Sequence, residues 1–131
     1  MKPVDPARKA AERRGRRSEL LASLMLILKG YRILARRVRT RAGEIDLIAR
    51  SPGGILCFVE VKARELGETA LVAVRARQQM RIARAAEFYI AQRPQLARKG
   101  VRFDVIALGA TGFPRHLPGA FSPEDWRGPA A

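Results

Sequence analysis

The sequence predicts a single α/β domain in which helices flank a mixed β-sheet. Apolar residues recur at helical spacing in two segments, and four other segments of strand length are rich in aliphatic residues. The predicted elements follow in the order helix, strand, strand, strand, helix, strand. Three consecutive strands form an antiparallel meander, and a strand that follows a helical crossover adds a parallel neighbour.

The N-terminal half contains one helix and the meander. From about residue 15 to residue 29, apolar residues recur every three or four positions, which is typical of a helix with a wide buried face, and Gly30 is suited to cap it. The three predicted strands cover residues 31–39, 44–50 and 55–62. A Ser-Pro-Gly-Gly turn at 51–54 joins the last two strands in a β-hairpin.

The C-terminal half contains a long basic amphipathic helix over residues 71–92 and a strand over 101–108. The chain then divides into a flexible basic arm over 1–14, the α/β domain over 15–108, and a Pro- and Gly-rich loop and tail over 109–131. His116, the lone histidine, lies in that tail, where we expect neither a catalytic nor a ligand role.

The composition favours a partner that carries phosphate. The 131 residues include 26 Lys+Arg against 12 Asp+Glu, for a net charge of +14, and most of the basic residues are arginines. With 47% hydrophobic residues the chain can bury a core, which excludes a purely disordered basic tail. An arginine-dominated excess favours nucleic acid first and an anionic membrane surface second.

Cysteine content and hydropathy favour the cytoplasm. The lone Cys57 excludes an internal disulfide and a multi-cysteine zinc site, and we expect it to pack as a small hydrophobe. The apolar run over 20–28 is shorter than the ~20 residues that a membrane-spanning helix needs. No small-residue cleavage site follows it. We therefore predict a cytoplasmic protein. Of the two partners that its charge favours, we expect nucleic acid and not a membrane.

Four charged side chains interrupt the apolar hairpin: Glu44, Asp46, Glu60 and Lys62. A three-residue loop would place Asp46 opposite Glu60 and Glu44 opposite Lys62, with about 4.5–5.5 Å between Cβ atoms. Two carboxylates that close need a proton or a cation, and Mg²⁺ accepts one or two carboxylates. Lys62 could then act on water or on phosphate charge. On spacing alone, an exposed hairpin face with cross-strand salt bridges is the alternative.

These residues resemble a known group of nucleases. Asp46, a hairpin and then Glu60-Val61-Lys62 match the core signature of the PD-(D/E)XK superfamily, which has the restriction-endonuclease-like fold and includes archaeal Holliday junction resolvases. More closely, the strings GEIDLIAR at 43–50 and FVEVKAR at 58–64 are similar to those of the YraN family of small bacterial proteins. The strings KGY at 29–31 and RFDV at 102–105 extend that similarity.

The resemblance implies a metal-dependent endonuclease and roles for individual residues. Asp46, Glu60 and Glu19 of the first helix would bind Mg²⁺, or Mn²⁺ as a substitute, and Lys62 would complete the catalytic set. Glu44 would support these residues from outside the metal shell. The alternative for Glu19 is a glutamate near a helix N-terminus that interacts with the macrodipole.

The second helix carries the predicted nucleic-acid contacts. Arg77, Arg81 and Arg84 share one face at three- and four-residue spacing, although a solvated face would have the same pattern. By resemblance, Arg77 and Gln78 stand where the family commonly has a lysine, so we expect them to bind phosphate.

The predicted function is hydrolysis of phosphodiester bonds in DNA, branched or structured DNA included. A nucleic-acid-binding protein that keeps the nuclease-like core without turnover is the alternative. A homodimer is compatible with the resemblance, because resolvase-like enzymes that cut two strands often act as dimers.

Overall fold

The computed structural model describes residues 5–62, 76–108, 113–123 and 126. The elements in chain order are α1 (Pro6–Leu28), β1 (Arg32–Arg39), β2 (Glu44–Arg50), β3 (Leu56–Lys62), α2 (Ala76–Gln92), a short 3₁₀ helix (Pro94–Ala97), β4 (Val101–Leu108) and β5 (Pro114–Phe121).

The five strands form one sheet in the order β1-β2-β3-β4-β5. Strands β1, β2 and β3 form the predicted antiparallel meander, and β4 lies parallel to β3 after the crossover that contains α2. Strand β5 pairs antiparallel with β4 and forms the second edge. This mixed sheet with its two helices confirms the predicted fold class and is compatible with a restriction-endonuclease-like core.

Alternation along the strands divides the core between the two faces of the sheet. Phe58 packs with residues of α2, whereas its neighbours Cys57 and Val59 pack with α1. Full burial of an aliphatic or aromatic side chain such as Phe58 contributes about 1.5–3 kcal/mol. Cys57 is fully buried, as predicted, and burial raises the pKa of its thiol to about 11.

The N-terminal segment differs from the prediction, because residues 6–14 of the expected flexible arm are the first turns of α1. Asp5 caps this helix by accepting a hydrogen bond from the Ala7 N–H at 3.0 Å, and Pro6 occupies the first helical position. Both residues favour helix initiation, and they outweigh the charge density that indicated disorder.

The C-terminal segment also differs, because Pro114–Phe121 forms β5 where a loop and tail were predicted. The prolines and glycine that indicated a loop are tolerated here for a structural reason. Strand β5 lies at the sheet edge, Pro114 is its first residue, and the pairing with β4 shifts register between Phe103 and Val105. Edge positions, strand starts and bulges are where a strand accommodates proline.

Helix α1 buries a narrower face than its apolar pattern predicted. Ala22, Ser23 and Leu26 are fully buried. The exposed apolar residues of the same helix are Leu20, Leu21, Leu24, Ile27 and Leu28, which are 42–87% exposed. Within the described ranges, no helix combines the length and the hydropathy that crossing a membrane requires.

Candidate active site

The two carboxylates predicted to bind metal lie together at one end of the β2–β3 hairpin. The last pair of the ladder is Leu47 with Val59, and the same register continued by one residue aligns Asp46 with Glu60, as predicted. Asp46 Oδ2 accepts a hydrogen bond from the Val61 backbone N–H at 2.8 Å. The Asp46 carboxyl group therefore accepts the hydrogen bond that a backbone carbonyl would accept if the ladder continued. This bond holds the carboxyl group beside Glu60.

Gln78 of α2 joins the other two members of the site. Its Nε2 donates a hydrogen bond to Glu60 Oε1 at 2.8 Å, and its Oε1 accepts one from Lys62 Nζ at 3.2 Å. The Lys62 ammonium lies 3.6 Å from Glu60 Oε1, and the two side chains are only 20% and 12% exposed. One amide thus orients both groups, a contact that the sequence did not predict for Gln78.

Burial raises the pKa of both paired carboxyl groups. For Glu60, burial and then the charge of Asp46 raise the pKa to about 8. For Asp46, burial is the largest influence, and the charges of Glu19 and Glu44 add to it against the lowering effect of the Val61 N–H. Two carboxyls in this position share a proton unless a cation replaces it.

This pair has a measurable consequence for stability in metal-free protein. With EDTA present, the free energy of unfolding should fall as pH rises from about 4.5 to about 8, because folded Glu60 still holds a proton that the unfolded chain has released. Glu60→Gln should flatten this dependence in urea denaturation at pH 5 and pH 8.

The control is Glu87→Gln, which removes an exposed carboxylate from α2 and should keep the wild-type pH dependence. An identical pH dependence in wild type and Glu60→Gln would contradict the raised pKa of Glu60.

Glu19 and Glu44 lie around the acidic pair, and each is held by an arginine of β1. Glu19 Oε2 accepts from Arg37 Nε at 2.5 Å. Arg37 adopts a left-handed backbone conformation with φ 49°, which is uncommon for a residue with a side chain. Glu44 is more exposed and lies 3.7 Å from Arg39 Nε. Both carboxylates act electrostatically on Asp46.

Among the described residues, the candidate metal ligands are therefore two carboxylates, Asp46 and Glu60, and not a larger preformed cluster. No group of three or more His, Cys, Asp or Glu side chains is arranged to hold a metal ion in the described part of the chain. Asp46 and Glu60 supply hard oxygen donors, which suit Mg²⁺ when water and substrate phosphate supply the remaining ligands. Glu19 would have to leave Arg37 to join them.

The arginines predicted to bind phosphate line the exposed face of α2. Arg77, Arg81 and Arg84 are all exposed, and they begin beside Gln78, whose side chain contacts the acidic site. A Cβ added at Gly43 would lie 3.6 Å from Arg81 Cβ, so the middle of this face lies against the β1–β2 turn. The predicted basic face thus begins beside Gln78, the residue of α2 that contacts the acidic pair.

A second ionic cluster, which the sequence did not predict, surrounds Asp104 of β4. Asp104 is fully buried. It accepts hydrogen bonds from Arg102 at 2.8 and 2.9 Å, from His116 Nε2 at 2.8 Å and from the Gly119 N–H at 2.9 Å. The only signals in the sequence were the KGY and RFDV strings, which indicated family resemblance without indicating a contact.

His116 connects this cluster to the end of α1. Its Nδ1 lies 2.5 Å from Lys29 Nζ, and Arg102 donates to the Tyr31 hydroxyl at 2.6 Å. Because an ammonium group only donates, Nδ1 is the acceptor and Nε2–H donates to Asp104. His116 is therefore a buried structural residue that ties β5 to β4 and to the residues after α1.

Comparison with known sequences relates the chain to one protein family. The profile of the uncharacterised protein family UPF0102 matches residues 18–108. The chain is similar to a UPF0102 protein of Rhizobium etli (strain CIAT 652), with 48% identity over 114 residues, covering 87% of this chain and 93% of the relative. It is also similar to one of Rhodopseudomonas palustris, with 50% identity over 115 residues and 88% of each chain covered.

Proposed function

The chain belongs to the uncharacterised protein family UPF0102, the YraN family that its motifs resembled, and we propose that it is a Mg²⁺-dependent endonuclease that hydrolyses DNA. The observation that carries the proposal is the partly buried Asp46–Glu60 pair beside Lys62. Two partly buried carboxyls with raised pKa values are costly to ionise together unless a divalent cation binds to them. The Lys62 ammonium adds a positive charge 3.6 Å from Glu60 Oε1, within reach of a phosphate or water bound at the pair.

The acidic pair and Lys62 would have different roles in phosphodiester hydrolysis. Asp46 and Glu60 would hold the ion, the first oriented by the Val61 N–H and the second by Gln78. When bound, Mg²⁺ supplies positive charge that polarises the phosphate and increases the acidity of water. Lys62, oriented by Gln78, positions the attacking water or stabilises the charge that develops on the phosphate oxygens.

The charge of the chain supports DNA as the substrate. Its net charge of +14 attracts a polyanion, and Arg77, Arg81 and Arg84 follow one another along α2 from the end whose Gln78 contacts Glu60. Affinity that depends on these contacts should fall steeply with salt. The resemblance to resolvases favours branched or structured DNA, and a homodimer would present two sites to two strands.

A cleavage assay tests the proposal directly. Wild type should cut branched or single-stranded DNA in Mg²⁺ or Mn²⁺ and should not cut it in EDTA, and Asp46→Ala should not cut it in any of these conditions. Binding by both proteins with cutting by neither would overturn the proposal. That result would favour the alternative, a nucleic-acid-binding protein that retains the core without turnover.

Metal binding itself should be visible as a rise in Tm. At pH 8, a cation at about 100 times its Kd stabilises the folded state by ~2.7 kcal/mol, which corresponds to a rise of several degrees for a domain of this size. Titration of Mn²⁺ in a differential scanning fluorimetry experiment should show this rise for wild type. The same rise in Asp46→Asn would contradict the assignment of Asp46 as a ligand.

A further inference from the structure

A basic and aromatic groove lies between β1 and α2, and its lining includes neither Asp46 nor Glu60. Its volume is about 910 Å³. Three arginines, Arg39, Arg41 and Arg93, and two aromatic residues, Phe88 and Tyr89, contribute to its lining. This combination of cationic and aromatic side chains differs from the carboxylates of the proposed catalytic site, so the groove would bind a different part of a ligand.

The aromatic residues of the groove differ in exposure. Tyr89 is almost fully buried, and its ring packs edge-on against Phe58 with 6.1 Å between centroids. The Arg93 guanidinium lies 4.5 Å from the Tyr89 ring centroid, which holds this cation beside the groove. Phe88, in contrast, is 49% exposed and also lines a second concavity of about 420 Å³ that includes Arg84. Its ring therefore has open space on two sides.

The groove continues from the basic face of α2. Phe88 follows Arg77, Arg81 and Arg84 at the same helical spacing, and this line begins beside Gln78, which is bonded to Glu60. At 1.5 Å rise per residue, the ten residues from Gln78 to Phe88 span about 15 Å. That length corresponds to roughly four nucleotides at 3.4 Å per stacked base.

We propose that this track, defined as Arg77, Arg81, Arg84 and Phe88 together with Arg39, Arg41 and Arg93 of the groove, binds single-stranded DNA. The inference rests on the proposed function, because it names the form of DNA that reaches the acidic pair. Arginines bind the phosphates of either form of DNA, but only an unpaired base offers a face that stacks on Phe88. The exposed aromatic ring therefore favours a single strand over a duplex.

Fluorescence anisotropy in EDTA tests binding without cleavage. The probes are fluorescein-labelled oligothymidylate and a blunt duplex of equal length. Wild type should prefer oligothymidylate, and Phe88→Leu should weaken that binding about tenfold, since stacking of one base contributes ~1–3 kcal/mol. Phe88→Tyr should retain wild-type affinity, which distinguishes loss of stacking from loss of folding. Leu28→Ala, which shortens an exposed apolar side chain of α1, is the control.

The arginines of the track are tested by the salt dependence of oligothymidylate binding. Arg41→Gln should weaken oligothymidylate binding and reduce the slope of log K against log salt by about 0.7, the value for one phosphate contact with a single strand. Arg98→Gln removes an equal charge from an exposed position after the 3₁₀ helix, outside the track, and should leave the slope unchanged.

Equal affinity of wild type for both probes, or wild-type binding by Phe88→Leu, would overturn the inference even if the protein cuts DNA. Displacement of oligothymidylate by polyglutamate, equally from wild type and Phe88→Leu, would also overturn it and indicate an acidic peptide site. Binding that depends on Phe88 in a protein that never cuts DNA would support the track while overturning the nuclease proposal.

Discussion

Replacing Lys62 with methionine should lower the rate of DNA cleavage about 10²- to 10³-fold, the usual cost of removing one group that stabilises developing charge. Methionine keeps an unbranched stem but removes the ammonium group that lies 3.6 Å from Glu60 and 3.2 Å from Gln78. The acidic pair remains in place, so the rise in Tm with Mn²⁺ should survive. Single-turnover rates at saturating metal provide the measurement.

The pH dependence of the same variant separates a role in catalysis from a general loss of structure. Lys62 lowers the pKa of Glu60, so its removal should move the metal-dependent rise in Tm to higher pH. Lys99→Met, at an exposed position before β4, should change neither the rate nor the pH profile. Cleavage by Lys62→Met at the wild-type rate would rule out this role for Lys62.

Replacing Asp104 with alanine should destabilise the fold by about 3–5 kcal/mol, because it removes the fully buried carboxylate of an ion pair with the partly buried Arg102 and leaves its hydrogen-bond donors unpaired. The change leaves Arg102, His116 and the Gly119 N–H without the carboxylate that they share. It should also loosen β5, since two of these three partners belong to that strand. The free energy of unfolding in urea measures the effect.

Acid titration gives an independent check on Asp104. Burial raises the pKa of this carboxyl, but hydrogen bonds from Arg102, His116 and Gly119 outweigh burial and lower the pKa to about 2. The folded chain therefore binds fewer protons than the unfolded chain below pH ~4, and this contribution to stability disappears as pH falls from about 4 to 2. Asp104→Ala should lose stability less steeply in that range. A loss of less than about 1 kcal/mol in the free energy of unfolding of Asp104→Ala at pH 7 would contradict a stabilising role for this carboxylate.

The large positive charge and the acidic pair have complementary roles in the proposed function. Basic residues of α2 would bring phosphate towards the hairpin, whereas the two carboxylates would repel it unless a cation binds to them. Mg²⁺ would thus remove the repulsion and complete the site at the same time.

Local pattern was sufficient to predict the meander, the second helix, the parallel strand and the alignment of Asp46 with Glu60. Strand alternation and turn length act over a few residues, so a hairpin register can be read from the residues that form it. The predicted boundaries failed at both ends of the chain. High charge at the N-terminal end and proline at the C-terminal end indicated irregular structure. Instead, the Asp5 cap starts a helix at Pro6, and pairing at the sheet edge makes Pro114–Phe121 a strand.

The sequence by itself determined the fold class, the family resemblance and the acidic hairpin of this protein. Only the tertiary structure decided that Gln78 orients Glu60 and Lys62, that His116 is buried against Asp104, and that Phe88 lines a groove together with residues of β1. The physical reason is separation along the chain. These side chains lie 12 to 18 residues from their partners or depend on how a helix packs on the sheet, and no local periodicity records such contacts.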